Sequence, residues 1–229
     1  MIYLMGDTHG DRERLKAPTT AQGMAPQAGD YLLISGDFGF IFANSEEEAA
    51  FLDELETRPY TVCFCDGNHE NFPAIYAYPV EKWAGGRVHR IRKNVVHLMR
   101  GEVFDIDGSR FFVMGGAYSR DKYMRYENLS WWPQELPNDD EYRTAEQNLC
   151  YACHRVDYIL THTASRKTIR AMGAFPDPND SELTGFLDWI EDAVSFRTWF
   201  FGHWHRDLPL DASHRALYRE MIRLEPQNT

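Results

Sequence analysis

Five short apolar runs, each closing on a cluster of imidazole, carboxylate or amide side chains, set the strongest constraint on this chain. Residues 2–5, 31–35, 60–65, 156–160 and 198–201 are rich in Ile, Leu, Val, Tyr, Phe and Trp and carry no 3.6-residue period. Runs this short read as strands buried on both faces rather than amphipathic helices. At their ends stand Gly6-Asp7-Thr8-His9, Gly36-Asp37, Gly67-Asn68-His69-Glu70, Thr161-His162 and Gly202-His203-Trp204-His205. Gly6, Gly36, Gly67 and Gly202 each precede a polar cluster, where the chain must bend tightly to aim side chains at a common point.

The segments between the runs suit helices. Over residues 45–57, Ser45 followed by Glu48 makes a capping box, and Phe51, Leu52 and Leu55 share a face. A second helix begins near Asn138, with Glu141 three residues on, and runs past Leu149; a third covers 181–194, with Leu183, Phe186, Leu187 and Ile190 on one stripe. Residues 87–114 read as a meander of strands turned at Asp107-Gly108, a strong hairpin pair. Residues 216–224 read as one further strand. This pattern predicts two packed sheets with helices outside, closed around one core as a single domain over 1–229. Residues 118–138, with Trp131-Trp132-Pro133, show no period, and a loop of that length in a compact domain is usually functional or mobile. The two tryptophans serve either to pack this loop or to stack on an aromatic group.

Composition removes several function classes. A net charge of −11 argues against sequence-independent nucleic-acid binding, which draws on a basic patch, and leaves room for a small nucleotide substrate. Residues 1–5 lack a basic leader region and run straight into Gly6-Asp7, and no stretch approaches the roughly 20 apolar residues that span a bilayer, so a cytoplasmic protein with no membrane partner is expected. Cys63, Cys65, Cys150 and Cys153 fit that compartment as reduced thiols.

The clusters themselves suit metal chemistry. Asp7 and His9, two residues apart at a strand end, point the same way and can grip one ion. The Asp37 carboxylate can bridge two ions, Asn68 offers a neutral carbonyl, His162 and His203 can complete the second ion, and His205 can return to the first. Such a set admits hard-to-borderline divalent cations, and two of them side by side suit attack on phosphorus, with positions left for water and a phosphate oxygen.

In this order the elements resemble those of the calcineurin-like metallophosphoesterase superfamily, whose pattern is D-x-H, G-D, G-N-H-E or G-N-H-D, a lone H, and G-H-x-H. The match runs from Asp7 to His205. The resemblance implies a four-layer α/β/β/α sandwich of two mixed β-sheets flanked by helices, with a dinuclear site at the strand ends. It implies one ion on Asp7, His9 and His205, the other on Asn68, His162 and His203, with Asp37 between them, and a hydroxide bridging the metals as nucleophile. His69 matches the catalytic histidine that contacts phosphate and protonates the leaving group. Manganese is the expected metal, with Fe, Zn, Ni or Co also admitted by the donor set.

One departure bears on substrate. Serine/threonine phosphatases of the superfamily extend the second element to G-D-x-V-D-R-G; here the corresponding offsets from Asp37 carry Phe40 and Ile41. The expected activity is hydrolysis of a small phosphomonoester or phosphodiester, with a nucleotide as one example. A phosphoprotein phosphatase is the alternative, and a non-catalytic protein-binding scaffold, which would have lost ligands, is a third. Arg120, Lys122 and Arg125 are candidates to bind phosphate, or else belong to a solvated surface loop. Glu70 orients a neighbouring group or caps the following helix. His89, His97, His154 and His214 are read as surface or structural. Oligomeric state is left open.

Overall fold

Alternation along the first strand already divides the molecule into layers. In β1 (Ile2–Met5), Ile2 and Leu4 face one core while Tyr3 and Met5 face another, as a strand buried on both faces requires. The computed structural model describes residues 1–224; residues 225–229, the end of the expected domain, lie outside the described residues.

Strands β2 (Tyr31–Ile34), β3 (Thr61–Phe64), β4 (Val80–Trp83), β5 (Gly86–Arg92) and β6 (Val95–Leu98) join β1 in a seven-stranded sheet closed at its edge by β13 (Ile222–Arg223), in the order β13-β1-β2-β3-β6-β5-β4. The second sheet holds β7 (Val103–Ile106), β8 (Ser109–Met114), β9 (Tyr158–Thr161), β10 (Thr198–Phe201), β11 (Leu208–Pro209) and β12 (His214–Ala216), in the order β11-β12-β10-β9-β8-β7. Both sheets are mixed, with parallel centres and antiparallel edges.

Three apolar layers follow. Between the sheets, Leu33, Cys63 and Leu98 meet Phe104, Phe111 and Phe200. Helices α1 (Arg12–Lys16), α2 (Glu46–Glu56) and α3 (Phe72–Tyr76) cover the outer face of the first sheet through Leu15, Phe51, Leu55 and Ile75. Helices α4 (Asp139–Tyr151), α5 (Arg166–Ala171) and α6 (Ser181–Ala193) cover the second through Leu149, Ile169, Leu187 and Ile190. Each such side chain contributes roughly 1.5–3 kcal/mol on burial. The expected four-layer α/β/β/α sandwich is therefore the observed fold. The capping boxes Ser45–Glu48 and Asn138–Glu141 both form at the starts of α2 and α4.

Two strand expectations need correction. Residues 87–114 form two hairpins in different sheets rather than one meander: β5–β6 belongs to the first sheet, and β7–β8 to the second. The chain leaves the first sheet at Arg100 and Gly101, where Arg100 is buried on Asp66 and Gly101, at φ 74°, lies against α4. The turn within the second hairpin is Asp107-Gly108, with φ 48° and 75°, as its sequence predicts. Residues 216–224 do not form one strand. The Asp207 carboxylate captures the amides of Tyr218, Arg219 and Glu220 at 2.8, 3.0 and 3.1 Å, so the chain breaks between β12 and β13 and changes sheets.

The loop 118–138 folds over the body with two short 3-10 turns, Lys122–Met124 and Pro133–Glu135. Trp132 is buried and its ring meets Phe42 edge-on at 5.7 Å, so it packs the loop down. Cys63 and Cys65 are buried thiols, and Cys150 and Cys153 are exposed ones, all unpaired. Among the described residues no helix is long and apolar enough to cross a membrane.

Candidate metal centre

The parallel strands β1, β2, β3, β9 and β10 end along one edge of the sandwich, and the five clusters follow those ends directly. Clefts outside the carboxyl ends of parallel strands are where α/β folds place their ligands. Asp7, Asp37 and His162 are fully buried there, with ligand atoms all within 4.8 Å of one another.

The remaining side chains sort into two groups around Asp37. On one side His9 Nε2 lies 3.5 Å from Asp37 Oδ2 and 3.0 Å from His205 Nε2, and His205 Nε2 is 3.9 Å from Asp7 Oδ2. On the other, His162 Nε2 lies 3.5 Å from Asp37 Oδ1, and Asn68 Oδ1 sits 3.0 Å from His162 Nε2 and 2.9 Å from His203 Nδ1. One Asp37 oxygen thus faces each group. His69 stands at the rim, its ring centroid 5.3 Å from that of His9 and its backbone N–H donating to Asp37 Oδ1 at 2.8 Å.

Local backbone conformation makes this convergence possible. His9, Asp37, His203 and His205 all lie in the left-handed region, at φ 48°, 49°, 66° and 49°. Each such residue costs of order 1–3 kcal/mol, and strain of this kind gathers at functional sites. The turns are locked to each other: His9 N donates to Asp37 O at 2.7 Å, Gly10 N to Phe38 O at 3.1 Å, and Thr8 Oγ1 to Phe38 O at 2.9 Å. Gly36, at φ 94°, has to be glycine, since a Cβ there overlaps the His162 ring. Glu70 does not cap α3, a task taken by Asn71; it accepts from Phe38 N at 2.7 Å and so fixes the turn that carries Asp37.

Charge in the site is unbalanced in a way that a cation corrects. Burial, aided by Asp37 and opposed by His162, pushes the Asp7 carboxyl up to about 7. Burial acts in the same sense on Asp37, yet His162, His69 and His9 outweigh it and bring that carboxyl down to about 2. Burial lowers His9 to about 4 and holds His203 and His205 below the usual imidazole value. His162 is the exception, raised because Asp37 and Asp7 outweigh its burial. Its Nδ1 lies 2.8 Å from the Ser35 carbonyl, which leaves Nε2 to face the site; carbonyl anchoring of this kind is what orients metal-binding histidines. Asp7 Oδ2 is buried with no hydrogen-bond partner among the described residues. Four imidazoles, two carboxylates and an amide oxygen around an unpartnered buried oxygen fit divalent cations.

The three candidate phosphate-binding cations all have intramolecular partners. Arg120 donates to Phe175 O at 2.8 Å and lies 5.0 Å from the Trp204 ring; Lys122 pairs with buried Glu135 at 2.6 Å between the rings of Tyr118 and Trp131; Arg125 donates to Ser119 Oγ at 3.1 Å and pairs with Asp121. Sequence reasoning passed over other contributors. Arg14 donates to the carbonyls of Gly6, Asp7 and Tyr218, and the Tyr218 ring stacks on His205 at 4.5 Å. His97 and Arg100, both buried, hold Asp66 two residues before Asn68 at 3.0 and 2.8 Å, so His97 is structural. The one visible signal was an arginine immediately following the apolar run at 95–99.

The sequence profile of the calcineurin-like phosphoesterase family matches residues 1–215. No curated protein matches the sequence. Among solved structures, a candidate 5'-nucleotidase from Staphylococcus aureus, crystallised with alpha-ketoglutarate, aligns at 15% identity with a TM-score of 0.51, covering 96% of this chain and 48% of that one. The present chain thus spans about half of that protein's length. The phosphopantetheinyl hydrolase of Mycobacterium tuberculosis aligns at 17% identity with a TM-score of 0.47, over 100% of this chain and 97% of that one.

Proposed function

The chain belongs to the calcineurin-like phosphoesterase family, and we propose that it hydrolyses a phosphomonoester or phosphodiester of small-molecule size, a nucleotide being one such substrate, at a site holding two divalent metal ions. The observation that carries this reading is the position of Asp37, with one oxygen toward His9 and the other toward His162. Asp7, His9 and His205 would hold one ion, Asn68, His162 and His203 the other, and Asp37 both. Bound ions supply Lewis-acid neutralisation of phosphate charge and make water acidic near neutral pH.

The protein's own groups do the rest. His9, His203 and His205, held neutral by burial, keep lone pairs available as donors. His69, fixed through its backbone to Asp37 with its ring beside that of His9, would donate a proton to the departing oxygen. Beside His9 and His69 opens a groove of about 420 Å³ that reaches Arg12 and Phe42, within the range of small-ligand sites. It gives the leaving group a place next to its proton donor.

Phosphoprotein hydrolysis has less support, because Phe40 and Ile41, which stand where protein phosphatases carry Asp and Arg, are buried apolar side chains that offer no charge to phosphate. Metal-reconstituted protein assayed on an aryl phosphomonoester, an aryl phosphodiester and a phosphopeptide tests the reading. Turnover of either aryl ester with Mn²⁺, lost in chelator, is expected. Activity confined to the phosphopeptide moves the assignment to the second reading, and full activity in chelator removes the metal-dependent one.

A further inference from the structure

Asn68 can serve a cation only through its amide oxygen, and a carboxamide presents an oxygen or an NH₂ depending on what holds its other edge. Here that edge is held. Asn68 Nδ2 donates to Ser119 Oγ at 3.0 Å, and both residues are buried. Ser119 is fixed in turn from two sides: its backbone N–H donates to Glu135 Oε1 at 3.0 Å, and Arg125 Nη1 donates to its hydroxyl oxygen at 3.1 Å. Glu135 is wholly buried and paired with Lys122, so its charge cannot relax toward water.

The same loop is fastened to the turn before Asn68. Gly116 N donates to Asp66 O at 3.0 Å, and Arg100 grips the Asp66 carboxylate while donating to Gln134 O at 2.8 Å. The 116–135 loop therefore clamps the 66–68 turn through both backbone and side chain. Two cations read from sequence as phosphate candidates, Lys122 and Arg125, take part in this clamp.

We propose that Ser119 is a positioning residue for the metal centre: held by Glu135 and Arg125, it fixes the Asn68 amide with its oxygen toward His162 and His203, and so sets the affinity of the ion on that side. This rests on the two-ion reading above. Partners of this kind, one bond removed from a metal, typically govern about 10–100-fold in affinity.

The test is calorimetric titration of the metal-free full chain with Mn²⁺, comparing parent, Ser119→Ala and Asn68→Ala. Two ions are expected in the parent, with Ser119→Ala weakening one of them about 10–100-fold, the same one that Asn68→Ala weakens, and sparing the other. Thermal unfolding in chelator checks that the fold survives. Ser119→Cys, close in size with a weaker acceptor, is expected to lose less at that same ion and carries the test if Ser119→Ala does not fold. Unchanged affinities, equal weakening of both ions, or loss at the ion that Asn68→Ala spares overturns the role of Ser119 alone. A parent that binds no Mn²⁺ removes the two-ion reading and this inference together.

Discussion

The floor and the rim of the site are built differently. On the floor, Asp7, Asp37, Asn68 and His162 are almost wholly buried, and each is tied to protein: Asp7 accepts from His203 N, Asp37 from His69 N, Asn68 donates to Ser119, and His162 leans on the Ser35 carbonyl. At the rim, the His9 and His205 side chains are 33% and 48% exposed and are aimed by left-handed backbone, with His205 stacked on Tyr218. Buried carboxylates need a permanent answer to their charge; exposed neutral imidazoles do not. On the two-ion reading proposed above, the floor would govern whether cations are held at all, and the rim how loosely one of them is held and how the substrate enters.

The largest effect should come from the floor. Asp37→Asn preserves shape and an acceptor for His69 N, yet removes the charge shared by both ligand groups, so turnover should fall to background at every Mn²⁺ concentration while the chelated protein stays folded. Measured activity above a tenth of parent, about 1.4 kcal/mol of lost stabilisation, would erase the special place of Asp37.

His69 belongs to the rim, but on the proposed reading it would act on substrate. His69→Ala should retain Mn²⁺ binding and lose roughly 10²–10⁴ in kcat with alkyl leaving groups, and much less with nitrophenyl esters that leave without a proton. An equal loss for every leaving group would make His69 a binding residue instead. A smaller effect is expected at His205: His205→Ala should raise the Mn²⁺ needed for half activity by at least about tenfold, the lower end of what even an outer partner of a metal costs, and regain rate as the metal is raised. Loss that no metal concentration restores would place His205 energetically on the floor.

The floor residues were easier to read from the sequence than what supports them. Asp7, Asp37, Asn68 and His162 follow apolar runs directly, and a buried strand with a polar residue at its end advertises a strand-end site. Ser45 and Asn138 were equally legible, because a capping box is written within four residues. Ser119 and Glu135 carry no such signal: both lie in a loop without period, and their importance comes from Asn68, far off in sequence. Pairing between hairpins was hidden for a related reason. The alternation in β5 to β8 says which faces are apolar, but not that the chain changes sheets between them, at Arg100 buried against Asp66. Likewise the apolar residues after Ala216 promise a strand that Asp207 interrupts by taking three amides.

The finest distinction between floor and rim is carried by protons. An incoming cation competes with any proton on its ligands, so affinity rises with pH until the ligands are bare. Asp7, lifted by burial to about 7, carries a proton in the metal-free protein at mildly acidic pH. His9, lowered to about 4, does not. Binding of Mn²⁺ should thus release about one proton more at about pH 6 than at about pH 8.5, read as the buffer dependence of the calorimetric enthalpy. Asp7→Asn should remove that extra proton, whereas His9→Ala should leave it in place. If His9→Ala abolishes it instead, the proton reservoir sits at the rim, and the charge that a metal replaces is not the one buried beneath it.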